Sequence, residues 1–231
     1  ASLNAQTTSL PKNSPISVLS SIKTIETVDL NELTTFDPRW VDSLSLSLPC
    51  YEVPVPKRTM RLPNAPRNYR NGIHRGLDFF ANWGTPVRSV ADGVVVRSDL
   101  HYEEVPADFR ENLLKATTKV GHTPSDIFNS VLLGKSVFLD HGFDLIPGFR
   151  TISIYAHLSH IEKEIVPGAV VKRGELLGKS GNTGMRESTI GSKAGSHLHW
   201  EMILQKGEQE IYLGKGMSNP ELYDMLFRIF N

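Results

Sequence analysis

His197-Leu198-His199-Trp200-Glu201-Met202 alternates polar and apolar residues without a break. Odd positions carry two imidazoles and a carboxylate; even positions carry Leu, Trp and Met. A period of two is the mark of a strand with one wet and one buried face. His197, His199 and Glu201 then share a face, and the three apolar side chains enter a core. Two imidazoles on one face can serve one metal ion, or one can ligate while the other moves protons.

Working outward, Thr151-Ile152-Ser153-Ile154-Tyr155-Ala156-His157 repeats the pattern. Thr151, Ser153, Tyr155 and His157 fall on a polar face, Ile152, Ile154 and Ala156 on an apolar one. His157 ends this strand and can bring a third imidazole to the same surface. Further upstream, His74-Arg75-Gly76-Leu77-Asp78 sets a His and an Asp four residues apart. Both reach one ion if the chain between them turns, and Gly76 supplies the freedom. Nitrogen with carboxylate oxygen is a donor set that suits zinc. His101, His122 and His160 read as ordinary surface or core histidines, and His141 as structural.

Other β-like runs are Val87–Val96, Ser136–His141, Ala169–Lys172 and Leu176–Ser180, most of them separated by Gly-containing turns. Their spacing predicts a mainly β fold: a sandwich, roll or barrel-like core. Two helices, Pro106–Val120 and Ser125–Leu133, interrupt it within an insertion spanning 99–135. The tail Asn219–Phe230 reads as a terminal helix with Asn219 as N-cap and Pro220 at N1. Residues 1–50 hold 15 Ser or Thr, and prolines 49, 54, 56, 63 and 66 punctuate the stretch up to the first histidine. Residues 1–60 therefore read as an arm or linker, with short helical turns near Asn31–Leu33 or Pro38–Leu44. Residues 61–231 read as the domain.

The chain has 231 residues, and its 25 basic and 25 acidic side chains cancel. No basic excess points to nucleic acid, and no apolar run approaches the roughly 18 residues of a membrane span. The single cysteine, Cys50, forms no internal disulfide and no thiolate metal site by itself; it reads as a small apolar filler. The chain opens on Ala1, which a removed leader and a trimmed start explain equally.

Taken in order, the motifs resemble the M23 peptidases, the LytM and lysostaphin-type endopeptidases. The resemblance runs through His74-x3-Asp78, Gly84-Thr85-Pro86-Val87, Tyr155-Ala156-His157-Leu158-Ser159, Gly178-Lys179-Ser180-Gly181-Asn182-Thr183-Gly184 and His197-Leu198-His199. It covers roughly Gly72 to Glu201. It implies a small antiparallel β-sheet or roll core of the duplicated hybrid motif type, with a zinc ion on the floor of a groove. His74, Asp78 and His199 would hold the zinc, leaving one vertex open. His197 and His157 would be the catalytic histidines: His197 as general base, His157 stabilising the oxyanion or assisting proton transfer. Read from the residues themselves, Glu201 could fix the tautomer of a ligating imidazole or serve as a surface charge or structural ion pair, and Tyr155 could donate to the oxyanion or pack as a strand aromatic. The substrate would be peptide cross-links or stem peptides of bacterial peptidoglycan, worked on outside the cytoplasm. Some relatives carry an Asn plug in the open vertex; Asn64, Asn68 and Asn71 are the candidates here. Degenerate relatives that lose ligands act as activators or scaffolds, but no ligand position is missing in this chain. The 99–135 insertion exceeds the short turn usual in the family and bears on substrate preference.

Overall fold

Prolines and Gly-containing turns cut this chain into short segments, and most strands are accordingly brief. The structure, a computed structural model, describes residues 35–230. Most of the arm read at 1–60, including the turn expected at Asn31–Leu33, lies outside the described residues.

Twelve strands are described. The first six are β1 (Pro66–Arg67), β2 (Gly72–Ile73), β3 (Leu77–Phe79), β4 (Pro86–Arg88), β5 (Gly93–Ser98) and β6 (Val137–Asp140). They are followed by β7 (Arg150–Ala156), β8 (Leu158–Ile161), β9 (Val170–Val171), β10 (Leu176–Ser180), β11 (Leu198–Lys206) and β12 (Gln209–Tyr212). Every pairing is antiparallel. The large sheet runs β12-β11-β7-β6-β5-β9, with β3 added beside β11. A three-stranded sheet runs β4-β10-β8, and β1 and β2 pair separately. The fold is thus mainly β, open rather than barrel-like. The run read at Val87–Val96 is two strands, β4 and β5, because the chain turns between Arg88 and Gly93.

The main core packs Phe79, Val87, Leu139, Tyr155, Leu177, Trp200 and Leu204 together, each essentially solvent-free. Burying side chains of this size contributes roughly 1.5–3 kcal/mol apiece before entropy is counted. The described residues fall within one compact unit. Within it, Phe36, Val41, Leu44, Leu46, Cys50 and Val55 join the same core. Pro38–Val41 forms a 3-10 turn capped by Asp37, whose side chain accepts from Arg39 N–H. Burial pushes the Cys50 thiol up to about 12, consistent with an inert filler.

The helical interruption folds as the sequence predicts. It comprises α1 (Ala107–Val120), α2 (Ser125–Ile127) and a π-helical turn, Phe128–Leu132. Gly121 ends α1 in the left-handed conformation that a glycine adopts without strain. Phe128, Leu132 and Leu133 pack on Ile154, Ala156 and Ile203 of β7 and β11, a second cluster on the sheet's other face. The insertion therefore covers the strands that carry the histidines. A short helix, α3 (Arg186–Thr189), precedes β11. The terminal helix, α4 (Glu221–Ile229), buries Leu222, Met225, Leu226 and Ile229. It begins one turn residue later than expected: Pro220 occupies the cap, and Asn219 instead donates its side-chain N–H to Thr59 Oγ1.

Candidate functional site

Strand register brings the first pair together: β3 lies beside β11 with Asp78 opposite His199. Gly76 lets β3 come this close. A Cβ there would sit 2.2 Å from the Trp200 carbonyl oxygen, so close approach, not turning freedom, requires the glycine. His74, four residues before Asp78, completes a triangle. His74 Nε2 lies 2.9 Å from Asp78 Oδ1, His199 Nδ1 lies 2.8 Å from it, and the two nitrogens are 3.0 Å apart.

The outward nitrogens decide what this triangle is. His74 Nδ1–H donates to the Leu62 carbonyl at 2.8 Å, and His199 Nε2–H donates to Glu201 Oε1 at 2.8 Å. With one N–H so committed, each neutral imidazole turns a bare lone pair inward. Two lone pairs and a carboxylate oxygen then face one another, an arrangement that a central cation relieves. Tetrahedral zinc at bond lengths near 2.0–2.1 Å needs donor separations of about 3.3 Å, so the side chains would part by only a few tenths of an ångström. The donor set fits the ion: these three residues are the one such cluster among the described residues.

The surrounding charges agree. Burial opposes the Asp78 charge, but His74, His197 and the bonds from His199 and His74 hold its carboxyl well below the usual range. Burial pulls His74 down despite Asp78. Burial also opposes charge on His199, yet Asp78 and Glu201 outweigh it and lift the group to about 9. The centre calls for positive charge, which a divalent ion supplies as well as a proton does. Asp78 Oδ2 is held by Arg67 Nη2 at 2.8 Å. Glu201 is fully buried, and its Oε2 lies 3.0 Å from Arg75 Nη2, an ion pair rather than a directed hydrogen bond. Arg75 is turned inward to this carboxylate.

His157 and His197 stand beside the triangle. The His157 ring centroid is 4.9 Å from that of His197 and 5.7 Å from that of His199. His157 Nδ1–H donates to the Thr183 carbonyl and His197 Nδ1–H to the Gly195 carbonyl, each at 2.8 Å, leaving both Nε2 atoms as acceptors. Burial and the two neighbouring imidazoles hold His157 well below its ordinary range, so it is neutral. His197 Nε2 lies 3.6 Å from Asp78 Oδ1.

His157 does not arrive by alternation. Ala156 pairs with His199 on the site's face, while Tyr155 pairs with Trp200 on the other. His157 follows the strand with φ +60°, a left-handed residue that turns the chain. Tyr155 is therefore not brought to the site. Its buried hydroxyl accepts from Val90 N–H at 2.9 Å and meets Ser153 Oγ at 3.3 Å on the opposite side of the sheet. Among the asparagines, Asn64 spends its amide on Gly214, Met217, Tyr212 and Gly216, and Asn71 donates to Thr118. Asn68 lines the cleft.

That cleft, about 600 Å³, is floored by His74, Asp78, His157, His197 and His199. Arg110, Phe128, Leu132 and Leu133 of the insertion wall one side. Arg67 and the carbonyls of Leu62 and Thr183 escaped the sequence reading, since backbone acceptors and a lone arginine leave no motif.

Residues 116–211 match the model described as Peptidase family M23. That match spans His157, His197 and His199 but not His74 or Asp78, which the structure brings to them. Among curated proteins, the chain is 30% identical over 128 residues to an uncharacterized metalloprotease of Haemophilus influenzae, covering 55% of this chain and 18% of that protein. It is 26% identical over 142 residues to an L-Ala--D-Glu endopeptidase of Bacillus subtilis, covering 60% and 32%. It is 29% identical over 140 residues to the peptidoglycan DD-endopeptidase ShyA of Vibrio cholerae, covering 61% and 22%. The matched part thus spans less than a third of any of these relatives. Residues 116–211 of this chain, with the motifs that surround them, thus carry the match to peptidase family M23.

Proposed function

We propose that the chain is a zinc-dependent endopeptidase that hydrolyses peptide bonds of bacterial peptidoglycan. The observation that carries this reading is the triangle of His74, Asp78 and His199, with both imidazole tautomers set so that lone pairs converge. Two neutral imidazoles and one carboxylate are three protein donors, the number a catalytic zinc site uses while keeping a vertex open. When bound, zinc supplies a Lewis acid that polarises a carbonyl and acidifies water.

The protein's own groups do the rest. Arg67 and Glu201 keep Asp78 and His199 in place from behind. His197, tied by Nδ1–H to Gly195, offers Nε2 to take a proton from the attacking water and return one to the leaving amine. His157, neutral and tied to Thr183, offers a second acceptor nitrogen, which suits assistance in proton transfer. The Phe128–Leu133 wall excludes water from one side of the cleft.

The D-Ala-containing cross-link is the favoured bond, in keeping with the name of the Vibrio cholerae relative; the Bacillus subtilis relative is named for a stem-peptide bond instead. Such a substrate implies work outside the cytoplasm. No helix among the described residues is long and apolar enough to cross a membrane.

Digestion of purified peptidoglycan, with and without chelator and with mass spectrometry of the released peptides, tests the reading. Soluble peptides released only with zinc are expected, and their termini name the bond. A zinc-loaded protein that releases nothing overturns it and favours a non-catalytic activator or scaffold.

A further inference from the structure

The cleft carries more positive charge than the metal chemistry uses. Arg70, on the 3-10 turn Asn68–Arg70, and Arg110, on α1 of the insertion, both line it and are only 7% exposed. Buried arginines are normally paired with a carboxylate. Neither of these has a carboxylate within ion-pair distance among the described residues. Arg70 gives Nη2 to the Ile73 carbonyl and lies over the Phe128 ring at 4.6 Å. Burial lowers it from its ordinary value, with the Tyr69 phenol the first group to oppose that. Arg110 gives Nε–H to the Gly184 carbonyl at 2.9 Å, which leaves its two terminal nitrogens uncommitted. Helix α1 packs against both the turn that bears Arg70 and the helix α3 that bears Arg186. Three cations from three touching elements therefore border one stretch of cleft. Of the carboxylates that line the cleft, Asp78 is held by Arg67 and the histidines, and Glu187 forms no ion pair with the three.

We propose that Arg110 and Arg70, with Arg186 at the rim, form a subsite that binds a free carboxylate of the peptide substrate. A planar guanidinium with two free nitrogens matches a carboxylate in two-point geometry. The apolar Phe128–Leu133 wall beside it lowers the local dielectric and strengthens the contact. The insertion thereby acts as a specificity element: it selects peptides whose side-chain or terminal carboxyl is unmodified over those in which it is amidated. The inference rests on a cell-wall peptide as the substrate.

The test is calorimetric binding of a synthetic stem peptide and of versions amidated at one carboxyl at a time. Chelator is present throughout, so that metal–carboxylate contact does not contribute, and far-UV circular dichroism checks each variant. At least one amidation is expected to weaken binding to the unaltered protein by about tenfold. Arg110→Gln should make the acid and amide forms bind alike, Arg70→Gln should narrow the gap, and Arg110→Lys should retain part of it. Glu104→Gln is the structural control. Glu104 accepts the Gly184 N–H from the same insertion without lining the subsite, so the gap should survive its change. Equal binding of all forms, no binding of any, or a gap that persists in both glutamine variants overturns the proposal. If the zinc-loaded protein fails to cut the unmodified peptide while the gap stands, the endopeptidase reading fails and the subsite does not.

Discussion

Buried histidines sit against opposite faces of the large sheet, and they are solved differently. On the back, His141 Nδ1–H donates to the Asp92 carbonyl at 2.6 Å, and its Nε2 meets Ser153 Oγ at 2.7 Å. Ser153 continues to Tyr155, whose hydroxyl accepts from Val90 N–H. Donors and acceptors alternate along this run, so it is complete without any guest. On the front, His74 and His199 also satisfy one nitrogen each, but their second nitrogens face each other and Asp78. Burial alone therefore does not mark a functional histidine. What marks it is an excess of acceptors converging on one point.

Breaking the front cluster should have the largest effect. Asp78→Ala or His74→Ala should reduce bound zinc, measured by elemental analysis, from one per chain to background, and peptide cleavage should vanish with it. Tight zinc in either variant would show that the ion sits elsewhere. Removing the flanking histidines should separate binding from chemistry. His197→Ala and His157→Ala, made singly, should each retain zinc but lower turnover by roughly 10²–10⁴-fold. Near-normal turnover with zinc still bound would remove that residue from the mechanism.

Glu201→Gln sharpens the contrast more finely. It preserves shape but weakens the hold on His199 Nε2–H, so zinc affinity should fall by about 10–100-fold in competition with a chromophoric chelator. The back network should respond in stability alone. Ser153→Ala leaves His141 Nε2 unpaired and should cost about 1–3 kcal/mol in denaturant unfolding, with zinc content unchanged. Zinc lost in step with stability would show that the two faces are coupled.

The smallest effect is a pH dependence. Burial depresses His141, so the folded protein resists protonation there while the unfolded chain titrates near pH 6.5. Its contribution is intact above that value and is lost as pH falls below it toward the folded-state pKa. The histidines of the front, His74 and His157, are depressed too and add to the same slope, so the difference between the protein and its His141→Gln variant isolates the back. A Tm difference that does not change between pH 7.5 and pH 5.5 would deny His141 this role.

Much of this was legible in the residues. The alternation in His197–Met202 predicts a strand with His199 and Glu201 on one side, and His199 does reach Glu201 at 2.8 Å. The helical spacing in the insertion predicts α1 and the helical segment after it. His157 teaches the limit. Alternation groups it with Tyr155, yet a left-handed residue at the strand end separates the two onto opposite sides. Alternation describes a continuous strand and says nothing once the chain bends.

From residue order alone came most of the longer strands, the inserted helices and the chemical types able to ligate and to move protons, because periodicity and side-chain chemistry are local properties. Which lone pairs converge, that Arg67 and Arg75 back Asp78 and Glu201, and that Arg70 and Arg110 line the same cleft were decided only by the packed chain. Those facts depend on strand register and on contacts between residues far apart in sequence, and no local pattern encodes them.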